Sequence, residues 1–234
     1  MDAQTLHTTF LDLSTPHVAD ACLRLGVPVR CAPATMRLLS PGAHVVGRAR
    51  PARHVGSVDV FLEALGRCEQ GDVLVVDNGD RADEACVGDL VALEAARAGL
   101  AAIVIWGQHR DTAQLRSIGL PVVSTGAYPN GPERLDPQPD DALDWAACGA
   151  HTVTSDDLVL ADDDGVVFLP LARAQEIAET AARIRDVERH QAARMLLGTT
   201  LREQTRFDAY LAARASEPLT FRQHLRSLGA AIEE

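Results

Sequence analysis

The 234-residue chain has no lysine: all 22 of its basic side chains are arginines. A guanidinium stays protonated and forms no imine. Schiff-base aldolases, pyridoxal-phosphate enzymes and P-loop nucleotidases all depend on a lysine amine, so those mechanisms are excluded. If such a chain breaks a carbon–carbon bond beside a ketone, a metal ion must act as the electron sink. Positive charge is scarce altogether. The formal net charge of −11 argues against a nucleic-acid partner, because phosphate-backbone binding needs a basic face. No run approaches the roughly 18 apolar residues of a membrane span, and Met1-Asp2-Ala3-Gln4 lacks a signal-peptide pattern, so no membrane partner and a cytoplasmic location are expected. The five cysteines, at 22, 31, 68, 86 and 148, form no C-x-x-C pair. They read as reduced, mostly buried thiols. No G-x-G-x-x-G, H-E-x-x-H or G-x-S-x-G is present, so dinucleotide-binding, zincin and serine-hydrolase readings lack support.

What the chain does have is 47% hydrophobic content, enough to bury one full domain with a helical extension. The stretch Gly88 to Asp111 stands out. Gly88-Asp89 reads as a helix start, the run Leu90 to Ala98 favours helix, and Gly99 stops it. The first-turn amides of that helix lack helical partners and suit an anion. Leu100 to Ile105 reads as a buried parallel strand whose carboxyl end delivers Gly107, Gln108, His109, Arg110 and Asp111. Ligands bind at that end of strands in α/β folds, so a helix start, an arginine and two aspartates are expected to meet there.

The rest reads as scaffold. Thr15 caps a helix with Pro16 at its first position, and strands are expected over 35–39 and 44–49 around a Ser-Pro-Gly turn. Arg48, Arg50, Arg53 and His54 form a basic cluster, read as salt bridges within an oligomer or a solvated face, with a carboxylate or phosphate contact as the alternative. Residues 57–67 have helical apolar spacing and 73–76 form a buried strand. Asp77-Asn78-Gly79-Asp80 then makes a polar turn, and residues 82–87 do not alternate as a strand would. That turn is expected to line the same cleft, with Asn78 either a substrate contact or a plain turn residue. A helix over 112–118 and a strand over 120–123 complete a parallel α/β arrangement. Residues 124–144 read as a long surface loop, an interface arm or a lid. Residues 151–169 read as short strands forming a β-rich sub-layer, whose Asp-rich turns lack calcium-loop spacing. Beyond Pro170 the composition becomes helical, breaking near Gly198, with a final helix from Thr220 to Gly229. Asp20 reads as structural. His109 is either structural or a proton shuttle, since histidine titrates near neutrality.

Asp89, twenty intervening residues, then Arg110-Asp111 resembles the pattern of the 4-hydroxy-4-methyl-2-oxoglutarate aldolases. These are metal-dependent pyruvate aldolases grouped with the RraA-like regulators of ribonuclease E. Val73 to Gly79, Asp162 to Val167, and Thr220-Phe221-Arg222 with Leu228 to Ile232 are similar to further family segments. The resemblance runs from Ser14 to about Pro170. It implies an α/β fold, a parallel βαβ core with an added β-rich layer, over residues 1–170. A helical C-terminal extension, 171–234, would pack on that core or on a neighbouring subunit. It implies a 2-oxo acid substrate, with Gly88, Asp89, Leu90, Val91 and Arg110 binding it, and Arg110 and Asp89 catalytic. Asp111 and Asp89 would hold a divalent metal, Mg²⁺ or else Mn²⁺. The implied activity is cleavage to pyruvate, with oxaloacetate decarboxylation alongside it, in a homotrimer or hexamer. One departure is Trp106, where the family usually has an aspartate; it points to a change in pocket shape and to a same-scaffold lyase for another oxo acid as one alternative. The other is a non-catalytic regulator of a ribonuclease. Such regulators typically lack the aspartate that this chain keeps at 111.

Overall fold

The computed structural model describes residues 2–228. Its central sheet is built from β1 (Arg30–Cys31), β2 (Arg37–Leu38), β3 (Val45–Arg53), β4 (Val73–Asp77), β6 (Ala102–Trp106), β8 (Val122–Ser124), β12 (Asp157–Asp162) and β13 (Gly165–Pro170). These eight strands lie in the order β1-β13-β12-β3-β4-β6-β8-β2. Strands β3, β4, β6 and β8 run parallel, while β12, β13 and β1 flank them antiparallel on one side and β2 on the other. The continuous apolar runs in β4 and β6 reflect burial on both faces, the condition of central parallel strands.

Side-chain alternation sorts three layers. Leu74, Val76, Ile103 and Ile105 face α3 (Asp59–Leu65), α4 (Asp89–Arg97) and α5 (Thr112–Ile118). On the same face, Val46, Leu158 and Leu160 pack under α1 (Ala3–Phe10), α2 (Thr15–Arg24) and α6 (Ala174–Leu196). The intervening residues Val73, Val75, Ala102, Val104 and Phe168 face a hairpin of β10 (Trp145–Cys148) and β11 (His151–Thr154) through Ala146, Cys148 and Val153. This mixed α/β architecture, with helices on one face and β structure on the other, agrees with the expected fold class.

Several local expectations need correction. The strands near 37 and 45 do not form a hairpin: β2 pairs with β8 and β3 with β4 and β12, so they lie apart in the sheet. Only the β10–β11 hairpin is a separate layer, because β12 and β13 extend the main sheet. Helix α1 was not expected, yet Asp2 caps it by accepting from the Thr5 amide at 2.8 Å, and Leu6 and Phe10 bury its inner stripe. The Asp-rich turns bind the chain itself: Asp162 accepts from the Thr15 amide at 2.7 Å and its hydroxyl at 2.6 Å, and Asp163 accepts from the Gly42 amide. Arg30 clamps Asp157 with two bonds of 2.7 and 3.0 Å.

The first half of α6 belongs to the core through Ile177, Ala181 and Ile184. Past Gly198 come α7 (Leu201–Gln204), α8 (Phe207–Ser216) and α9 (Phe221–Leu228), and the ring cluster Phe207, Tyr210, Phe221 and His224 joins α8 to α9. The expected end of the last helix at Gly229 lies outside the described residues. All five cysteines are unpaired; Cys22 and Cys148 are buried, Cys68 and Cys86 half-buried and Cys31 exposed. Among the described residues no helix is long and apolar enough to cross a membrane. Replacing Phe168, fully buried between the sheet and the hairpin, with alanine is expected to cost about 3–5 kcal/mol of stability in urea denaturation.

Candidate active site

Three further strands, β5 (Ala85–Val87), β7 (Gln108–His109) and β9 (Gly126–Ala127), form a small parallel sheet beyond the carboxyl ends of the main one. Residues 82–87, expected not to form a strand, reach the small sheet as β5, because two- and three-residue strands carry no visible alternation. Gly107 makes the junction between β6 and β7 with φ of +151°, and a side chain there would run into Asn78.

This small sheet assembles the site. Val87 pairs with His109, and the Arg110 amide donates to the Val87 carbonyl at 2.9 Å. Each strand then turns into a helix: β5 through Gly88 into α4, and β7 through Arg110-Asp111 into α5. Asp89, first residue of α4, therefore sits beside Asp111, the N-cap of α5. Asp111 Oδ2 lies 3.3 Å from the Asp89 amide and 3.6 Å from Arg110 Nε. A Cβ on Gly88 would collide with that carboxylate oxygen, so glycine lets the carboxylate lie this close to the start of α4. Asp111 itself is in the left-handed region, φ 60° and ψ 41°, a conformation aspartate tolerates better than most residues.

A cleft of about 420 Å³ opens in front of these groups, lined by His54, Gly88, Asp89, Leu90, Val91 and Arg110 among others. Every residue expected to bind substrate lies in it, and Asp111 stands beside it against Gly88 and Arg110. Val91 is buried and Leu90 is 76% exposed; the amides of both lie in the first turn of α4, whose N–H groups lack helical partners. The Arg110 guanidinium extends to the backbone of Gly131, where any side chain would crowd it. The Asp89 carboxylate makes no hydrogen bond or ion pair among the described residues. Cys86 also lines the cleft, but burial pushes its thiol far up, so it stays protonated and is no nucleophile.

His109 does not serve the cleft. It is buried, with Nδ1 2.7 Å from Ser124 Oγ and Nε2 3.0 Å from Thr112 Oγ1, and burial lowers its pKa. Both ring nitrogens are engaged, which removes the proton-shuttle alternative. Trp106 likewise packs on the hairpin side of the sheet with Val104, away from the cleft, so its departure from the family pattern does not alter the pocket wall. Of the basic cluster, Arg50 pairs with Asp72 at 2.6 Å and Arg53 with Asp141, so these two arginines make salt bridges within the chain itself.

Three residues matter more than their sequence context suggested. Arg134 donates to Glu84 through Nη2 at 2.9 Å, to the His54 carbonyl at 3.2 Å and to Asn78 Oδ1 at 3.1 Å. Glu84 and Asn78 are buried. The 124–144 segment is thus pinned along the cleft by Arg134, and also by Asp136 N to Val55 O at 2.9 Å and Ala85 N to Asn130 O at 2.8 Å. It is not a free arm. No local pattern announces a contact between residues 84 and 134.

Fold and site define an α/β protein of the aldolase and RraA type, and the comparisons agree. The chain matches the Aldolase/RraA description of the RraA-like family over residues 15–168 and belongs to that family. It is 32% identical to DlpA of Legionella pneumophila over 180 residues, which are 74% of this chain and 29% of DlpA. It is 35% identical to a provisionally named 4-hydroxy-4-methyl-2-oxoglutarate aldolase of Shewanella oneidensis over 106 residues, 45% of this chain and 63% of that protein. The matched region thus spans under a third of DlpA and under two thirds of the Shewanella protein. Among solved structures, RraAS2 of Streptomyces coelicolor, described as an unusual member of the RNase ES inhibitor RraA family, is 30% identical with a TM-score of 0.72, covering 81% of this chain and 98% of its own.

Among the described residues no group of three or more His, Cys, Asp or Glu side chains could hold a metal ion. A water-rich Mg²⁺ asks for only one or two carboxylates. The pair Asp89 and Asp111, with the Asp111 carboxylate lying where a side chain at Gly88 would be, fits that demand. Arg134→Ala would leave Glu84 buried without its main partner and is expected to cost about 3 kcal/mol, read as a lower urea midpoint. Gly88→Ala would push the Asp111 carboxylate off the α4 start, and the overpacking is expected to cost about 1–3 kcal/mol in the same assay.

Proposed function

We propose that the chain is a divalent-cation-dependent aldolase that cleaves 4-hydroxy-4-methyl-2-oxoglutarate-like 2-oxo acids to pyruvate and also decarboxylates oxaloacetate. The observation that carries this reading is the convergence of Asp89, Arg110 and Asp111 at the start of α4 through the Val87–His109 pairing. Arg110 offers a planar donor fork to the substrate carboxylate. The amides of Leu90 and Val91, at the positive end of α4, add donors for the same anion. Asp111 and Asp89 are the residues that would hold the cation, Mg²⁺ or Mn²⁺, which needs only one or two protein carboxylates. When bound, the cation supplies Lewis-acid polarisation of the 2-oxo group, the role a lysine imine fills elsewhere. Aldol cleavage and oxaloacetate decarboxylation then share the pyruvate enolate.

Assembly into a homotrimer or hexamer belongs to the same reading. It is supported by Leu62, Leu90 and Leu93, which stand 53%, 76% and 44% exposed on α3 and α4 beside the cleft. The domain division at residue 170 also remains part of the proposal, although the start of α6 packs into the core. A regulator reading draws on RraAS2, but Asp111, seated at the cleft directly after Arg110, favours an enzyme.

Purified protein with Mg²⁺ or Mn²⁺ is expected to release pyruvate from both substrates. Asp111→Ala is expected to lower oxaloacetate turnover by roughly 100-fold or more, the scale of losing an electrostatic group that acts in the transition state. Unchanged turnover would remove Asp111 from the site.

A further inference from the structure

The cleft holds one acid–base group that this mechanism leaves unused. His54 follows β3 and lines the cleft with Gly88, Asp89 and Arg110. Its side chain is 2% exposed, and its ring lies flat on Phe61 with centroids 5.1 Å apart and 10° between planes. Its Nδ1 is 2.8 Å from Asn78 Oδ1. Which ring nitrogen carries the proton depends on a third residue. Arg134 can only donate, and its Nη2 is 3.1 Å from the same Asn78 atom, so that atom must be the amide oxygen. An amide oxygen only accepts, so Nδ1 of His54 carries the hydrogen and Nε2 is left with its lone pair. Nε2 has no hydrogen-bond partner among the described residues. Glu84 in turn fixes Arg134, so the tautomer is set by a chain of four side chains.

Asn78 adds a second sign. Its Nδ2 is buried with no partner, a cost that an apolar residue would avoid. Orienting His54 accounts for an amide at this position. His109, by contrast, has both nitrogens engaged. The charged groups around His54 are Arg134, Glu84, whose Oε1 is 3.9 Å from Nδ1, and Asp59 at the start of α3. Burial outweighs the two carboxylates and holds its pKa below the ordinary value, so the ring is neutral, and able to accept, at neutral pH.

Resting on the aldolase reading, we propose that His54 is the proton-transfer residue of carbon–carbon cleavage. Nε2 takes the proton of the substrate C4 hydroxyl. The C4–O pair becomes the carbonyl of the departing product, the C3–C4 bond breaks, and its electrons form the C2–C3 double bond of the pyruvate enolate. The Nε2 proton then passes to C3 and gives pyruvate, leaving the ring neutral again. Oxaloacetate decarboxylation loses CO₂ without removing a hydroxyl proton, and its enolate takes the C3 proton from solvent water, so it does not call on His54.

The test compares wild type with His54→Gln in the presence of Mg²⁺, using 4-hydroxy-4-methyl-2-oxoglutarate and oxaloacetate, together with deuterium exchange into the pyruvate methyl group. The kcat for aldol cleavage is expected to fall at least ~100-fold, the usual contribution of general acid–base catalysis. Methyl exchange should slow in parallel while decarboxylation stays close to wild type. Cleavage at the wild-type rate, or both activities falling together, would overturn the proposal. Asn78→Asp provides an independent reading, since a carboxylate still accepts from both His54 and Arg134. Its charge stabilises the imidazolium, so the acid limb of the cleavage rate should move to higher pH. An unmoved limb would contradict the assignment. Wild-type protein that releases pyruvate from neither substrate would sink the aldolase reading itself.

Discussion

The site depends on the parallel pairing of two very short strands. Val87 opposite His109, with the Arg110 amide on the Val87 carbonyl at 2.9 Å, starts two helices side by side on adjacent strands. Without that register, Asp89 and Asp111 would be carboxylates at unrelated positions on two helices. Gly88 permits the close approach and the left-handed backbone of Asp111 completes it. Loop geometry over a rigid parallel sheet thus does what α/β folds commonly do at the carboxyl ends of their strands.

The duties of other acidic groups in the fold sharpen the assignment. Asp72 holds Arg50 and the Glu69 amide, and Asp77 accepts from the Gly79 and Ala147 amides. Asp157 and Asp162 bind Arg30 and Thr15. Each of these carboxylates satisfies donors that would be orphaned if it turned to a ligand. The Asp89 side chain carries no such duty, and Asp111 Oδ2 makes only long contacts. These carboxylates hold loops and helix ends, whereas the two at the cleft are left with capacity to spare.

How much of this is legible in the sequence varies with the physics of each segment. Strands β4 and β6 announce themselves because burial on both faces demands unbroken apolar runs, and α4 does so because Gly88-Asp89 and Gly99 bracket a helix-favouring run. The meeting of Asp89, Arg110 and Asp111 is legible through spacing and resemblance. Strands β5, β7 and β9 are not, since two or three residues cannot display a period. The antiparallel flank is misplaced by sequence alone because β12 and β13 look the same whether they extend a sheet or form another. The Glu84–Arg134–Asn78–His54 chain spans eighty residues of sequence with no local mark, and only the fold joins it. Trp106 misleads for the opposite reason: a departure from a family pattern draws notice, but alternation along β6 turns its ring to the hairpin.

The central claim is that the start of α4, Arg110 and Asp111 together receive a 2-oxo acid and a divalent cation. The most direct measurement is a crystal soaked with manganese and pyruvate, with the metal located by its anomalous scattering. The account predicts a manganese peak within ligand distance of an Asp111 carboxylate oxygen, and the pyruvate carboxylate between Arg110 and the Leu90 and Val91 amides. A peak remote from Asp111, or pyruvate bound elsewhere, would contradict it.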